Sequence, residues 1–121
     1  MAKHSIQHPL TDEVADLIAQ RFAVLSEPMR IKILDHVREV GEASVREIAE
    51  GVRATHANVS RHLNVLHRAG IVGRRKLGTR VLYRIVDQGV LRLCEEVCGS
   101  LAEQQRNLRA ILDPDPREAA A

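Results

Sequence analysis

The stretch from Ser44 to Val86 constrains this chain more than any other. Ser44-Val45-Arg46-Glu47 is a capping box, a serine with glutamate three residues on, and it starts a short helix. Val45, Ile48, Ala49 and Val52 mark its inward side, and Arg53-Ala54 makes a turn. Thr55 caps a second helix in which Val59, Leu63 and Leu66 recur at helical spacing. Thr55, His56, Asn58, Arg61 and His62 are left to the other side, and Gly70 suits the C-terminal end. Ile71 to Leu77 and Arg80 to Val86 read as strands joined by Gly78-Thr79, a two-residue hairpin turn with glycine first. Helix, tight turn, helix and basic hairpin in that order make a winged helix-turn-helix. Its second helix packs by one face and offers the other to a DNA major groove.

Charge is sorted along the same stretch. Between Glu50 and Asp87 there is no acidic residue, while Arg53, Arg61, Arg68, Arg74, Arg75, Lys76, Arg80 and Arg84 all fall there, with His56, His62 and His67. The net charge of +2 hides this, because the acids lie on the two flanks. A surface that faces phosphate excludes one sign of charge, whereas a merely solvated one mixes both. Arg74, Arg75, Lys76 and Arg80 crowd the hairpin tip, which points to phosphates or a minor groove. Phe22 and Tyr83 are the only aromatic residues, which disfavours single strands, whose bases stack on aromatic rings. Duplex DNA is the expected partner.

The flanks supply further helices. Residues 1–10 read as a mobile arm ended by Pro9. Thr11 or Asp12 caps a helix with the stripe Val14, Leu17, Ile18, Phe22 and Leu25. Ser26-Glu27-Pro28 starts the next, with Ser26 as acceptor and Ile31, Ile33, Leu34 and Val37 mostly buried, ending near Gly41. Asp87 caps a long last helix carrying Val90, Leu91, Cys94, Val97, Cys98, Leu101, Leu108 and Leu112 on one broad face. Asp113-Pro114-Asp115-Pro116 ends it, and residues 113–121 read as a disordered tail. The expected architecture is mainly α with a small β-hairpin wing, in the order α-α-α-α-β-β-α, over residues 11–112.

The first and last helices are amphipathic with no third layer in the chain to cover them. A symmetric homodimer covers them, with Val14, Leu17, Ile18, Leu91, Cys94, Cys98, Leu101 and Leu108 at its interface. Such a dimer presents two recognition helices about one DNA turn apart and so predicts an imperfect inverted-repeat operator. No apolar run approaches the roughly 20 residues that cross a bilayer, and the N-terminus lacks a signal-peptide segment, so a cytoplasmic location is expected. No nucleophile, base and acid stand at recognisable spacing, which disfavours an enzyme. A winged helix used only for protein interaction would need neither the acid-free interval nor the arginine-laden hairpin.

Three ordered motifs resemble the ArsR/SmtB winged-helix repressors. They are Leu25-Ser26-Glu27-Pro28-Met29-Arg30-Ile31-Lys32-Ile33-Leu34, Asn58-Val59-Ser60-Arg61-His62-Leu63-Asn64-Val65-Leu66 and Ala69-Gly70-Ile71-Val72. The likeness covers roughly residues 14 to 105. It implies a homodimeric repressor that leaves its promoter when an inducer binds, commonly a soft or transition metal, in some members a thiol oxidant or sulfur species. It implies DNA contact at Thr55, His56, Asn58, Ser60, Arg61 and His62 and at the wing residues Arg74, Arg75, Lys76 and Arg80. Ser60 enters through the resemblance alone, and His62 serves equally as a packed structural histidine.

The family's sensor patterns are incomplete here. Where one has Cys-x-Cys, this chain has Ser44-Val45-Arg46-Glu47-Ile48-Ala49 without a thiol. Where another has imidazoles beside carboxylates, Gly89 and Ser100 stand beside Asp87 and Glu103, so no zinc site is carried over. Cys94 and Cys98 remain, four apart on one helix face. They suit a soft metal or metalloid ion such as arsenite, cadmium or mercury, with further donors from a second copy or, less directly, His4 or His8. Packing as small hydrophobes and thiol redox sensing are the other two readings. A disulfide between them is disfavoured, because Cβ vectors one turn apart fit its geometry badly.

Overall fold

The computed structural model describes residues 8–112 and residue 117. His4, most of the expected N-terminal arm and most of the expected tail lie outside the described residues.

Helix α1 (Asp12–Leu25) starts at Thr11, whose hydroxyl accepts the Val14 N–H. Ser26 closes it, and its hydroxyl donates to the Ala23 carbonyl. Ser26 is therefore not the cap of the next helix. Glu27 is, its carboxylate accepting the Met29 N–H two residues on, at the start of α2 (Pro28–Val40). Gly41, at φ +88°, ends α2 in a conformation that disfavours a side chain. Ile33, Leu34 and Val37 are buried as expected, but Ile31 is exposed because it sits a quarter-turn or more off that stripe.

The capping box at Ser44 forms with both bonds, Ser44 Oγ to the Glu47 N–H and Glu47 Oε1 to the Ser44 N–H, and opens α3 (Val45–Val52). Arg53 ends α3 in the left-handed region at φ 57°. Helix α4 (His56–Arg68) follows, capped by Thr55. It closes with Gly70 N–H bonded to the His67 carbonyl and Ile71 N–H to the Leu66 carbonyl, a Schellman end made by Gly70 at φ +75°.

Strands β2 (Val72–Leu77) and β3 (Arg80–Ile85) pair antiparallel with Leu77 opposite Arg80, so Gly78-Thr79 is the hairpin turn. A third strand, β1 (Ala43–Ser44), pairs with the other edge of β3, giving the order β1-β3-β2. Two residues are too few to show alternation, which is why the sequence reading has only a hairpin.

The described residues divide into two compact units, one ending at Val86 and the other beginning at Asp87. The first is built round Ile33, Leu34, Val37, Ile48, Val59, Leu63, Leu66, Ile71 and Val72, all fully buried or nearly so. Each such aliphatic side chain contributes about 1.5–3 kcal/mol of transfer free energy. This core fixes α4 against α2 and α3 and roots the hairpin. The second unit is α5 (Gln88–Leu112), started by the Asp87 carboxylate accepting the Val90 N–H. No helix among the described residues is long and apolar enough to cross a membrane.

Candidate nucleic-acid interface

Helix α4 sorts its residues by angle. Val59, His62, Leu63 and Leu66 are buried, while His56, Ala57, Arg61, Asn64 and Arg68 are exposed and Asn58 and Ser60 are half-buried. Thr55 stands exposed at the N-terminal end, its hydroxyl occupied by the Asn58 N–H. Arg61, which is exposed, donates from Nη2 to Asn58 Oδ1 at 2.6 Å, so its guanidinium is tied to the first turn of the helix. Asn64 and Arg68 share that outer side and were missed. Each stands three or four places from Arg61 or Asn64 on the helix, the spacing that would have found them.

His62 belongs to the inner side. Only 7% of it is exposed, and its Nδ1 accepts from Arg30 Nε at 3.2 Å. Its side chain is packed inward, as the alternative of a structural histidine has it, rather than on the exposed face of α4. The i, i+3, i+4, i+7 series Val59, His62, Leu63, Leu66 carries that signal in the sequence, but a polar residue inside an apolar stripe reads as surface until its partner is known. Burial, then the Arg30 guanidinium, pushes the His62 imidazole below its ordinary value, in keeping with a neutral ring that accepts at Nδ1.

The hairpin register assigns the wing bases to two faces. Arg74 lies opposite Tyr83 and Lys76 opposite Val81, so these share one face; Arg75 opposite Leu82 and Arg80 opposite Leu77 share the other. Among the described residues the side chains of Arg74 and Lys76 have no hydrogen-bonded or ion-pair partner. Arg75 does: its Nε and Nη2 donate to the two Glu42 carboxylate oxygens, each at 2.7 Å. Arg80 pairs with Glu47 Oε1, the oxygen that also closes the capping box. The Arg75 bonds hold the Glu42 carboxyl below its usual range, and the Ser44 backbone, then its hydroxyl and Arg80, do the same for Glu47. The hairpin tip is thus half neutralised by acids that stand before the acid-free interval, a pairing between positions about 33 residues apart.

Between the start of α4 and the wing lies an open groove of about 530 Å³, lined by Ser44, Val45, Arg46, His56, Arg74, Arg80, Val81 and Tyr83. Three arginines and one histidine are among its lining residues and no carboxylate is, so its charged groups suit a polyanion, although most of its wall is apolar and Arg46 and Arg80 already pair with Glu50 and Glu47.

Cys94 is half-buried and Cys98 exposed, both as free thiols on α5. Burial and then the neighbouring Glu95 push the Cys94 thiol up, towards the protonated form. Among the described residues no three His, Cys, Asp or Glu side chains converge as a metal site.

The comparisons follow the same lines. The family model described as bacterial regulatory protein, arsR family, matches residues 27–73. The chain is 39% identical over 72 residues to an uncharacterized HTH-type transcriptional regulator, MJ1325, of Methanocaldococcus jannaschii, covering 60% of this chain and 81% of that protein. It spans 58% or 65% of the length of three further curated relatives. The homodimeric winged helix-turn-helix DNA-binding domain of Mb0332 from Mycobacterium bovis, a possible ArsR-family regulator, is 30% identical with a TM-score of 0.69, over 83% of this chain and 92% of that one. The AntR antimony-specific transcriptional repressor is 25% identical with a TM-score of 0.75, over 88% of this chain and 96% of that one.

Proposed function

This chain belongs to the arsR family of bacterial regulatory proteins and is a DNA-binding transcriptional regulator rather than an enzyme, and on that premise we propose how it works. Two copies bind an imperfect inverted repeat in the cytoplasm as a repressor. Helix α4 enters the major groove with Thr55, His56, Asn58, Ser60 and Arg61, and the wing reaches phosphate with Arg74 and Lys76 first. Arg75 and Arg80 follow only by exchanging a carboxylate for a phosphate. The groove lined by His56, Arg74 and Arg80 beside the outer face of α4 is the observation that carries this reading.

Arg61 and Arg74 separate base reading from phosphate binding. Arg61→Ala should lose about 1–3 kcal/mol on the matched operator and little on a scrambled duplex. Arg74→Ala should weaken both alike and flatten the salt slope by about one contact. Equal behaviour of the two variants in a fluorescence-anisotropy titration would refute the assignment.

The homodimer is supported by α1 and α5. Val14, Leu17, Leu101 and Leu108 are exposed aliphatics on them, Ile18, Leu91 and Cys94 are half-buried, and a similar chain is homodimeric. Inducer capture falls to Cys94 and Cys98. A thiol pushed towards its protonated form is a slow redox nucleophile, yet a soft ion displaces the proton as it binds. Two thiols supply two donors, so the rest come from the second copy, and arsenite, antimonite or cadmium fits that chemistry. AntR, the antimony-specific repressor of similar fold, lends this support. Cys94→Ser combined with Cys98→Ser should abolish release by these ions and leave ion-free operator binding unchanged. Release of the double variant by the same ions removes the reading, and release of the wild type by peroxide alone replaces it with redox sensing.

A further inference from the structure

Arg30 lies on α2, yet it holds α4, the helix proposed above to enter the major groove. Its Nη1 donates to the Val24 carbonyl in the last turn of α1 at 3.0 Å, and its Nε donates to His62 Nδ1 inside α4 at 3.2 Å. One planar fork therefore fixes α1, α2 and α4 together. A second tie runs the same way: Arg21 Nη1 donates to the Ala69 carbonyl at the end of α4, at 2.8 Å. Recognition helices read bases only when their side chains arrive at the right depth and angle, so a small rotation of α4 costs specific contacts while phosphate contacts adapt.

We propose that Arg30 and His62 are positioning residues that set the angle of α4 for base reading, and that operator preference depends on His62 remaining an uncharged acceptor. This rests on α4 being the DNA-reading helix. A proton on Nδ1 removes the acceptor for Arg30 and sets two cations against each other in a part-buried site. The charged groups facing the ring are Arg30 from α2, Glu27 at the start of α2, and Arg61 on α4 itself. Glu27 is the one anion among them, and its carboxylate is already bonded to the Met29 N–H. Glu27 partly offsets a proton on the ring, but burial and the Arg30 charge oppose it more strongly, so protonation is costly and α4 loses its brace.

The test reads the ratio of operator to scrambled-duplex affinity, in which any general change in duplex binding with pH largely cancels. Arg30→Lys keeps the charge but cannot serve both acceptors in one fork. It should lower operator affinity about tenfold, with scrambled-duplex affinity and the salt slope unchanged, because no phosphate contact is lost. Taking the wild type from about pH 7.5 to about pH 5, past the ordinary imidazole value of about 6.5 because His62 is held below it, should lower the ratio severalfold. His62→Asn, which keeps an acceptor near Nδ1 and does not titrate, should hold the ratio constant over that range. The pH arm decides the matter if Arg30→Lys fails to fold by circular dichroism. A ratio independent of pH in the wild type, or equal losses on both duplexes in Arg30→Lys, overturns the proposal. Wild-type protein without salt-dependent binding to any duplex overturns the DNA reading beneath it as well.

Discussion

At the scale of single residues, the interface is decided by which cations are already spoken for. Arg75 grips Glu42 through two parallel bonds, and a phosphate must displace that carboxylate before it gains the guanidinium. Glu42→Gln should therefore raise affinity for scrambled duplex severalfold and steepen the salt slope by about 0.9 for one further phosphate. If the pair instead braces the wing, affinity falls, so an anisotropy titration at several salt concentrations separates the two. His62 contributes at the same scale to stability. The unfolded imidazole takes up its proton at higher pH than the folded one, so stability drops as pH falls through the ordinary imidazole range. That contribution is complete above this range and levels off below the folded value, and His62→Asn should remove it from a pH series of urea midpoints. None of these pairings is written in local sequence, since Glu42 and Arg75, or Arg30 and His62, lie more than thirty places apart.

At the scale of elements, the turn between α3 and α4 carries the conformation that most departs from preference. Arg53 sits at φ 57°, where a side chain crowds its own carbonyl and glycine does not. Arg53→Gly should raise stability by up to about 1 kcal/mol, read as a higher urea midpoint with an unchanged slope. Gly51 is the opposite case. It stands inside α3, where alanine would ordinarily be better, but a Cβ there would collide with the His36 ring of α2. The sequence reading found α3, α4 and the hairpin because caps, apolar spacing and turn glycines are local signals. The two-residue β1 leaves no such signal, and Ser26 and Glu27 both have cap chemistry, so only their contacts show that Glu27 is the cap.

At the scale of the whole molecule, the exposed aliphatic residues of α1 ask for a partner. Leu17 is 64% exposed, in the middle of the stripe, where a charge would not disturb the monomer's own core. Leu17→Glu should leave the circular dichroism spectrum intact and shift the protein to monomer in sedimentation equilibrium. Operator affinity should then fall more than tenfold, because a monomer reads one half-site. A variant that stays dimeric and keeps its affinity would place the interface elsewhere.

The sequence alone determined the acid-free interval, which is composition, and the order of helices, the capping box at Ser44, the Schellman glycine and the hairpin turn, which depend on neighbours within a few turns. Tertiary structure alone decided that His62 turns inward onto Arg30 and that Arg75 and Arg80 are held by Glu42 and Glu47. Those contacts join distant parts of the chain, and a charged or polar side chain declares its role only when its partner is brought within hydrogen-bond reach.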